Sequence, residues 1–457
     1  MSLTRMILGR NNHAVYTVAL AVCWICAIGV GGVGSLLHPV ILVPGDGGSQ
    51  LEAKLDKPSV VHYLCTKKTD DYYNIWLNME LLVPLIIDCF IDNVRLVYNF
   101  TSRTTDNSPG VDIRVPGFGN TTSVEYLDPS QASPGLYFNH IVEQSLIPLG
   151  YVRDNDIRGA PYDFRKAPNE LETWMDDFKA LIEDSFTRGG NSSVILISHS
   201  MGGPMALYLM HKMKQEWKDK YIRSIITLAA PWGGSVKAWK VFAAGDDLGV
   251  YVLPAHTMRG MQRTSPSTAF LLPSKNFWAD DETLVSCPGK GNYTVNDYDR
   301  FFRDMNYPEG YAMHNDTKDL LGKLDPPGVE IHCLHGQGVS TVESMIYKEE
   351  KNFPDKPNLN FGNGDGTVNI RSLRGCMRWS PKKRLSVIRR SHSPRRNYDR
   401  LAKWNWVSEL KKEGVRTQRS AVHHQEFPGV NHMEILRAEG VVTYIRDAVQ
   451  KINSDQS

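Results

Sequence analysis

Ser193-Val194-Ile195-Leu196-Ile197-Ser198-His199-Ser200-Met201-Gly202-Gly203-Pro204 is the stretch on which the fold turns. Its first half is a short apolar run, the pattern of a strand buried on both faces. Its second half is a turn of small residues. Beyond it Met205, Leu207, Tyr208, Leu209 and Met213 fall on one helical face. Ser198-His199-Ser200-Met201-Gly202 matches the elbow pattern G-x-S-x-G, with Ser in place of the first Gly. A serine there occupies a strained backbone conformation at a very tight turn, so the residues two positions away must be small. Ser198 and Gly202 are both small. Ser198 lacks a glycine at the matching offset and belongs to the strand.

Further buried strands flank this unit. Pro39-Val40-Ile41-Leu42-Val43 stops at Pro44-Gly45-Asp46-Gly47-Gly48, and Ile222 to Ala229 stops at Ala230-Pro231-Trp232-Gly233-Gly234. Strands alternating with helices predict a mostly parallel sheet covered on both faces. Sites collect at the carboxyl edge of such sheets. No internal repeat is visible, and 348–363 reads as a polar loop.

A hydroxyl is a poor nucleophile until a base takes its proton. Hydrolases with this elbow order their partners Ser…Asp/Glu…His. Asp365, in the Gly-rich turn Gly362-Asn363-Gly364-Asp365-Gly366, is the candidate acid. His432, in Pro428-Gly429-Val430-Asn431-His432, is the candidate base. A plain turn aspartate and a structural histidine are the alternatives. His423 and His424 compete with His432, but their flanks lack a Gly-containing turn. An oxyanion needs two backbone N–H donors, one from the residue after the nucleophile and one from an early loop. Met201 and Asp46 fit those positions.

At 457 residues the chain exceeds the roughly 250–300 that one core sustains, so a catalytic domain with large insertions, or with a small second domain, is expected. An apolar fraction of 41% and a charged fraction of 22% are those of an ordinary globular protein and argue against a disordered one. The net charge of +2 is uneven. Arg378 to Arg419 holds 14 Lys/Arg against 3 Asp/Glu, a local +11, so the remainder carries −9.

Arg5 and Arg10 precede an apolar run from about Ala14 to Val33, and small residues surround its end. Residues 1–36 therefore read as a signal peptide, with an uncleaved anchor as the alternative. Either places the body outside the cytosol. Asn-x-Ser/Thr acceptors at Asn99, Asn120, Asn191, Asn292 and Asn315 agree with that compartment. Beyond Cys23 and Cys26 in the leader stand Cys65, Cys89, Cys287, Cys333 and Cys376, enough for two bridges and an odd thiol. The leader argues against nucleic-acid binding through the basic segment. Between Cys65 and Cys89 lies an apolar, aromatic cluster that includes Trp76, Leu77, Leu81 and Leu82. It reads equally as a buried helix pair or as a cap presented to lipid.

His38-Pro39-Val40-Ile41-Leu42-Val43-Pro44-Gly45, Gln50 to Pro58, Ala160-Pro161-Tyr162-Asp163-Phe164-Arg165, Ala230-Pro231-Trp232-Gly233-Gly234 and Gly364-Asp365-Gly366-Thr367-Val368 resemble the lecithin–cholesterol acyltransferase family, most closely its lysosomal phospholipase branch. The resemblance runs from about His38 to Met377 and resumes at about His423. It implies an α/β-hydrolase catalytic domain over 37–457. Ser200, Asp365 and His432 would form its triad, with Asp46 and Met201 as oxyanion donors. It implies bridges Cys65–Cys89 and Cys333–Cys376, with Cys287 unpaired. It also implies a membrane-binding cap over about 62–100, with Trp76, Leu77, Leu81 and Leu82 as lipid contacts, and a mobile lid over about 232–272.

The implied activity is phospholipase A and O-acyltransferase, with acyl transfer to water or to a lipid alcohol such as ceramide. The implied setting is lysosomal or secreted, at a phospholipid membrane or lipoprotein surface, as a monomer with no cofactor or metal. Asp46 is shared with the lysosomal branch and not with the plasma one. An ionised carboxylate beside an oxyanion would raise its energy and a protonated one would not, which predicts an acidic optimum. The chain departs from the family in a basic insert over about 378–421, expected to be a solvated loop or a gene-model artefact, with attraction to anionic lipid as the functional alternative. Lying between Asp365 and His432, it could displace the base. The rival readings are therefore a sterol-preferring acyltransferase and a catalytically impaired lipid-binding protein.

Overall fold

A computed structural model describes residues 37–131, 135–247, 255–380 and 421–455. The expected leader, residues 1–36, lies outside them, as does most of the basic insert, residues 381–420. The fold is an α/β-hydrolase sheet. Its six parallel strands are β1 (Val40–Val43), β2 (Ile157–Gly159), β3 (Val194–His199), β4 (Ile222–Leu228), β5 (Glu330–Gln337) and β6 (Val422–Pro428), in spatial order β6-β5-β4-β3-β1-β2.

The period of two decides which side chain meets which layer. Val40, Leu42, Ile195, Ile197, Ile226 and Leu228 enter one core. Ile41, Val43, Val194, Leu196 and Ile225 enter the other. Helices α1 (Glu172–Arg188) and α2 (Gly202–Lys212) cover the second face through Phe178, Ile182, Met205 and Leu209. Helix α3 (Glu439–Ser454) covers the first through Val441, Ile445 and Val449. Each fully buried Val, Leu or Ile contributes about 1.5–3 kcal/mol relative to exposure, which is why runs with no polar side chain become central strands. β6 is an edge strand and only half buried.

A third core lies beside the sheet, where the four-stranded sheet of 285–287, 291–293, 339–346 and 358–364 packs on helix Val236–Ala244. Trp239 stacks on Tyr298, and Phe242 meets Phe302 edge-on. This core includes side chains from the expected lid, 232–272. Trp232, Trp239, Phe242 and Met258 are buried. The centre of that segment, residues 248–254, lies outside the described residues.

The aromatic cluster also divides. Trp76 and Leu82, expected at a lipid surface, turn inward. Trp76 packs near Phe90 and Phe164. Leu77 and Leu81 are partly buried against the cores. Tyr63, Leu64, Met79, Val83 and Leu85 are exposed on the two arms joined by the Cys65–Cys89 bridge, as are Val97 and Phe100 further on. A second bridge, Cys333–Cys376, ties β5 to the turn Arg374–Trp379, and Cys287 is free and buried. Asn99, Asn120, Asn191 and Asn292 are exposed, and Asn315 is half-buried.

The insert leaves the described fold at Ser380 and re-enters at Ala421, immediately before β6. Ile331 N–H donates to Ala421 O at 2.9 Å there. In a parallel sheet this is the amino end of the strands, opposite the edge where His432 stands. Replacing 381–420 with a short Gly/Ser linker is expected to leave the thermal unfolding midpoint within a few degrees of the parent, roughly the shift that 1 kcal/mol produces in a chain of this size. A large drop in the midpoint would show that the insert carries part of the core.

Candidate active site

The strand order reverses between β1 and β3, and the loops after those two strands meet at the carboxyl edge. Ser200 sits on the turn from β3 into α2 with φ +52°, a left-handed conformation that costs a non-glycine residue about 1–3 kcal/mol. Bonds on either side hold it. Ser200 N–H donates to Leu228 O at 2.8 Å, and Gly203 N–H to Ser200 O at 3.0 Å. Small neighbours are required because the turn is pressed against β1. A Cβ on Gly202 would lie 2.4 Å from Val43 O, and one on Gly45 would lie 2.6 Å from Ser200 Cβ. The Gly45–Gly48 loop thus begins in contact with the serine, and Asp46 and Met201 flank it from the two loops.

His432 reaches the serine from the loop after β6. Ser200 Oγ lies 2.9 Å from His432 Nε2, and His432 Nδ1 lies 2.7 Å from Asp365 Oδ2. A carboxylate only accepts, so Nδ1 carries the proton and the Nε2 lone pair faces the hydroxyl. Burial alone would raise the Asp365 pKa. The charge and N–H of His432, with the N–H groups of Thr367 and Val368, outweigh it and hold the carboxyl below its usual range. His432 N–H also donates to Asp365 O at 2.8 Å, so the backbone fixes the pair as well. The insert leaves this geometry intact.

Asp46 is exposed as a residue, yet protein atoms surround its carboxyl group. That desolvation pushes its pKa up to about 6, against the opposing charge of Lys237, the Gly47 N–H and His432. Trp76 braces the same loop, its Nε1–H donating to Gly47 O at 2.9 Å. The family resemblance implied that this tryptophan contacts lipid; the tertiary structure turns it inward to hold the Gly45–Gly48 loop.

Two residues here were invisible as functional in the sequence. Gly45 N–H donates to Tyr137 Oη at 3.0 Å, and Tyr137 Oη lies 2.5 Å from His199 Nδ1. His199 Nε2 lies 2.9 Å from His432 O. A carbonyl cannot donate, so His199 carries its proton on Nε2 and receives the Tyr137 proton at Nδ1. Burial first, and then the charge of His432, push the His199 pKa down to about 3, so the ring stays neutral. This chain links the Gly45–Gly48 loop to the backbone of His432. Tyr137 is 62 positions from His199 in a different loop, and no local pattern pairs them. His423 and His424 stand on β6 and face Glu330 and His335, away from Ser200.

With this geometry in place, the comparisons give its lineage. The family described as Lecithin:cholesterol acyltransferase matches residues 72–423. This chain belongs to that family. It is 48% identical to a rat "Lysosomal phospholipase A and acyltransferase" over 89% of each chain. It is 48% identical to the human protein of the same name, over 82% of this chain and 90% of that one. It is also 47% identical to a chicken "Phosphatidylcholine-sterol acyltransferase" over 76% of this chain and 83% of that one. Within this family member, Tyr137→Phe removes the donor to His199 Nδ1 while keeping the ring. The acyl-transfer rate is expected to fall by about tenfold, the low end of what misplaced positioning groups lose, with an unchanged melting temperature. An undiminished rate would show that the chain of bonds does not position the base.

Proposed function

We propose that this chain is a serine phospholipase A and O-acyltransferase, lysosomal or secreted, that cleaves an acyl ester of a glycerophospholipid. The observation that carries the reading is the line Ser200 Oγ–His432 Nε2–His432 Nδ1–Asp365 Oδ2 at 2.9 and 2.7 Å, in a chain 48% identical to enzymes named for that activity. His432 accepts the Ser200 proton as Oγ attacks the ester carbonyl. The oxyanion is held by the N–H groups of Asp46 and Met201. His432 then protonates the departing glycerol oxygen, and lysophospholipid leaves. Water or a lipid alcohol, deprotonated by the same imidazole, attacks the acyl-enzyme and frees Ser200. The exposed Tyr63, Leu64, Met79, Val83 and Leu85 supply the lipid contact, with the half-buried Leu77 and Leu81 behind them.

Sterol as the preferred acceptor is the second reading, favoured by the near-equal identity to the sterol enzyme. Phosphatidylcholine liposomes carrying both a short-chain ceramide and cholesterol decide between them. Acyl-ceramide is the expected product, and Ser200→Ala should lower its formation by at least about 10³-fold. Predominant cholesteryl ester would favour the sterol reading. A folded wild type that does not label with a fluorophosphonate would make the chain a lipid binder.

Asp46 sets the expected pH dependence. With its pKa near 6, raised from an ordinary 3.8, the carboxyl is neutral below that pH and anionic above it. Its charge therefore opposes the oxyanion only as pH rises through about 6. Activity should fall on that limb, and Asp46→Asn should keep activity into the neutral range. A variant with the parent's alkaline limb would remove Asp46 as the cause.

A further inference from the structure

At the amino end of the sheet, away from the triad, β5 and β6 gather a second set of ionisable groups. His332 and His423 are directly opposed in the strand register, so their side chains share a face. Glu330, two residues before His332 on β5, joins that face. His332 Nε2 lies 3.2 Å from Glu330 Oε1, and His423 Nε2 lies 3.3 Å from the same oxygen. The three ligand atoms lie within 4.8 Å of one another.

We propose that Glu330, His332 and His423 form a zinc-class divalent metal site that clamps β6 to β5. Two imidazole nitrogens and one carboxylate oxygen are a ligand set zinc accepts, with bonds of about 2.0–2.2 Å. Tetrahedral bonds of that length hold ligand atoms about 3.4 Å apart, close to the separations from Glu330 Oε1 to each imidazole.

The surroundings match what orients metal ligands. Glu330 Oε2 is held by Arg223 at 2.7 Å, which leaves Oε1 turned to the two rings. His332 Nδ1 lies 2.9 Å from Tyr444 Oη on α3. A tyrosine hydroxyl accepts as well as donates, so it serves the Nδ1–H tautomer that a metal on Nε2 requires. His423 is 41% exposed, which opens a path for the ion and a fourth position for water.

Two other groupings carry less. His335, His424 and Glu426 lie on the opposite face of the same strands, but Arg374 engages both Glu426 oxygens. His62, Cys65 and Cys89 have their thiols in a disulfide. The clamp would act where the 381–420 segment returns to the sheet, and it would restrain the edge strand whose continuation carries His432. It is independent of the acyl-transfer reading, because no ligand belongs to the triad.

The test is titration of the chelator-treated full protein with Zn(II) and Co(II) at neutral pH, read by calorimetry and by the visible absorption of four-coordinate Co(II). One ion per chain is expected at this site, raising the melting midpoint. His423→Ala, at an exposed edge position, and Tyr444→Phe, which removes no ligand but takes the hydroxyl from His332 Nδ1, should each weaken binding about 10-fold or more. His424→Ala should leave binding as in the parent. The proposal is overturned by the absence of binding, by binding retained in His423→Ala, or by binding lost in His424→Ala, which would assign the ion to the opposite face.

Discussion

The approach of two loops at the point where the strand order reverses is the constraint on which the site depends. Gly45 after β1 and Ser200 after β3 come so close that a single added Cβ would collide. Gly202 is confined in the same way by the β1 carbonyls. The left-handed turn at Ser200 is tolerated because both flanking strands are fully buried and cannot yield. Strain at the serine is thus offset by hydrophobic burial in strands that themselves perform no chemistry.

From that contact the order of the site spreads by hydrogen bonds. The Gly45–Tyr137–His199–His432 chain joins the Gly45–Gly48 loop to His432, while Asp365 holds His432 from the other side through both side chain and backbone. Two buried histidines 5.0 Å apart would repel if both were charged. Burial keeps His199 neutral beside the imidazole that Asp365 holds at 2.7 Å.

Much of this was legible in the residues. Apolar runs that end in glycine turns marked β1, β3 and β4, because a central strand of a parallel sheet needs apolar side chains on both faces. The elbow marked Ser200, and chain order singled out Asp365 and His432 from other turn aspartates and late histidines. The assignments that shifted were those for which composition stood in for packing. Trp76 and Leu82 looked like lipid contacts because they are apolar and clustered, yet the cluster has an inside and an outside. The segment 232–272 looked like a lid as a whole, yet its Trp239 and Phe242 lie in an aromatic core.

The sequence by itself determined the class of sheet and singled out Ser200, Asp365 and His432 in that order, since these follow from local periodicity and from steric rules that act within a few residues. Only the tertiary structure decided which side chains meet across long separations: Tyr137 with His199, Trp76 with Gly47, Glu330 with His423. It also decided that the chain resumes at Ala421 at the amino end of β6, opposite the edge where His432 stands. The physical reason is that such contacts depend on strand order and register, which only the folding of the whole sheet establishes.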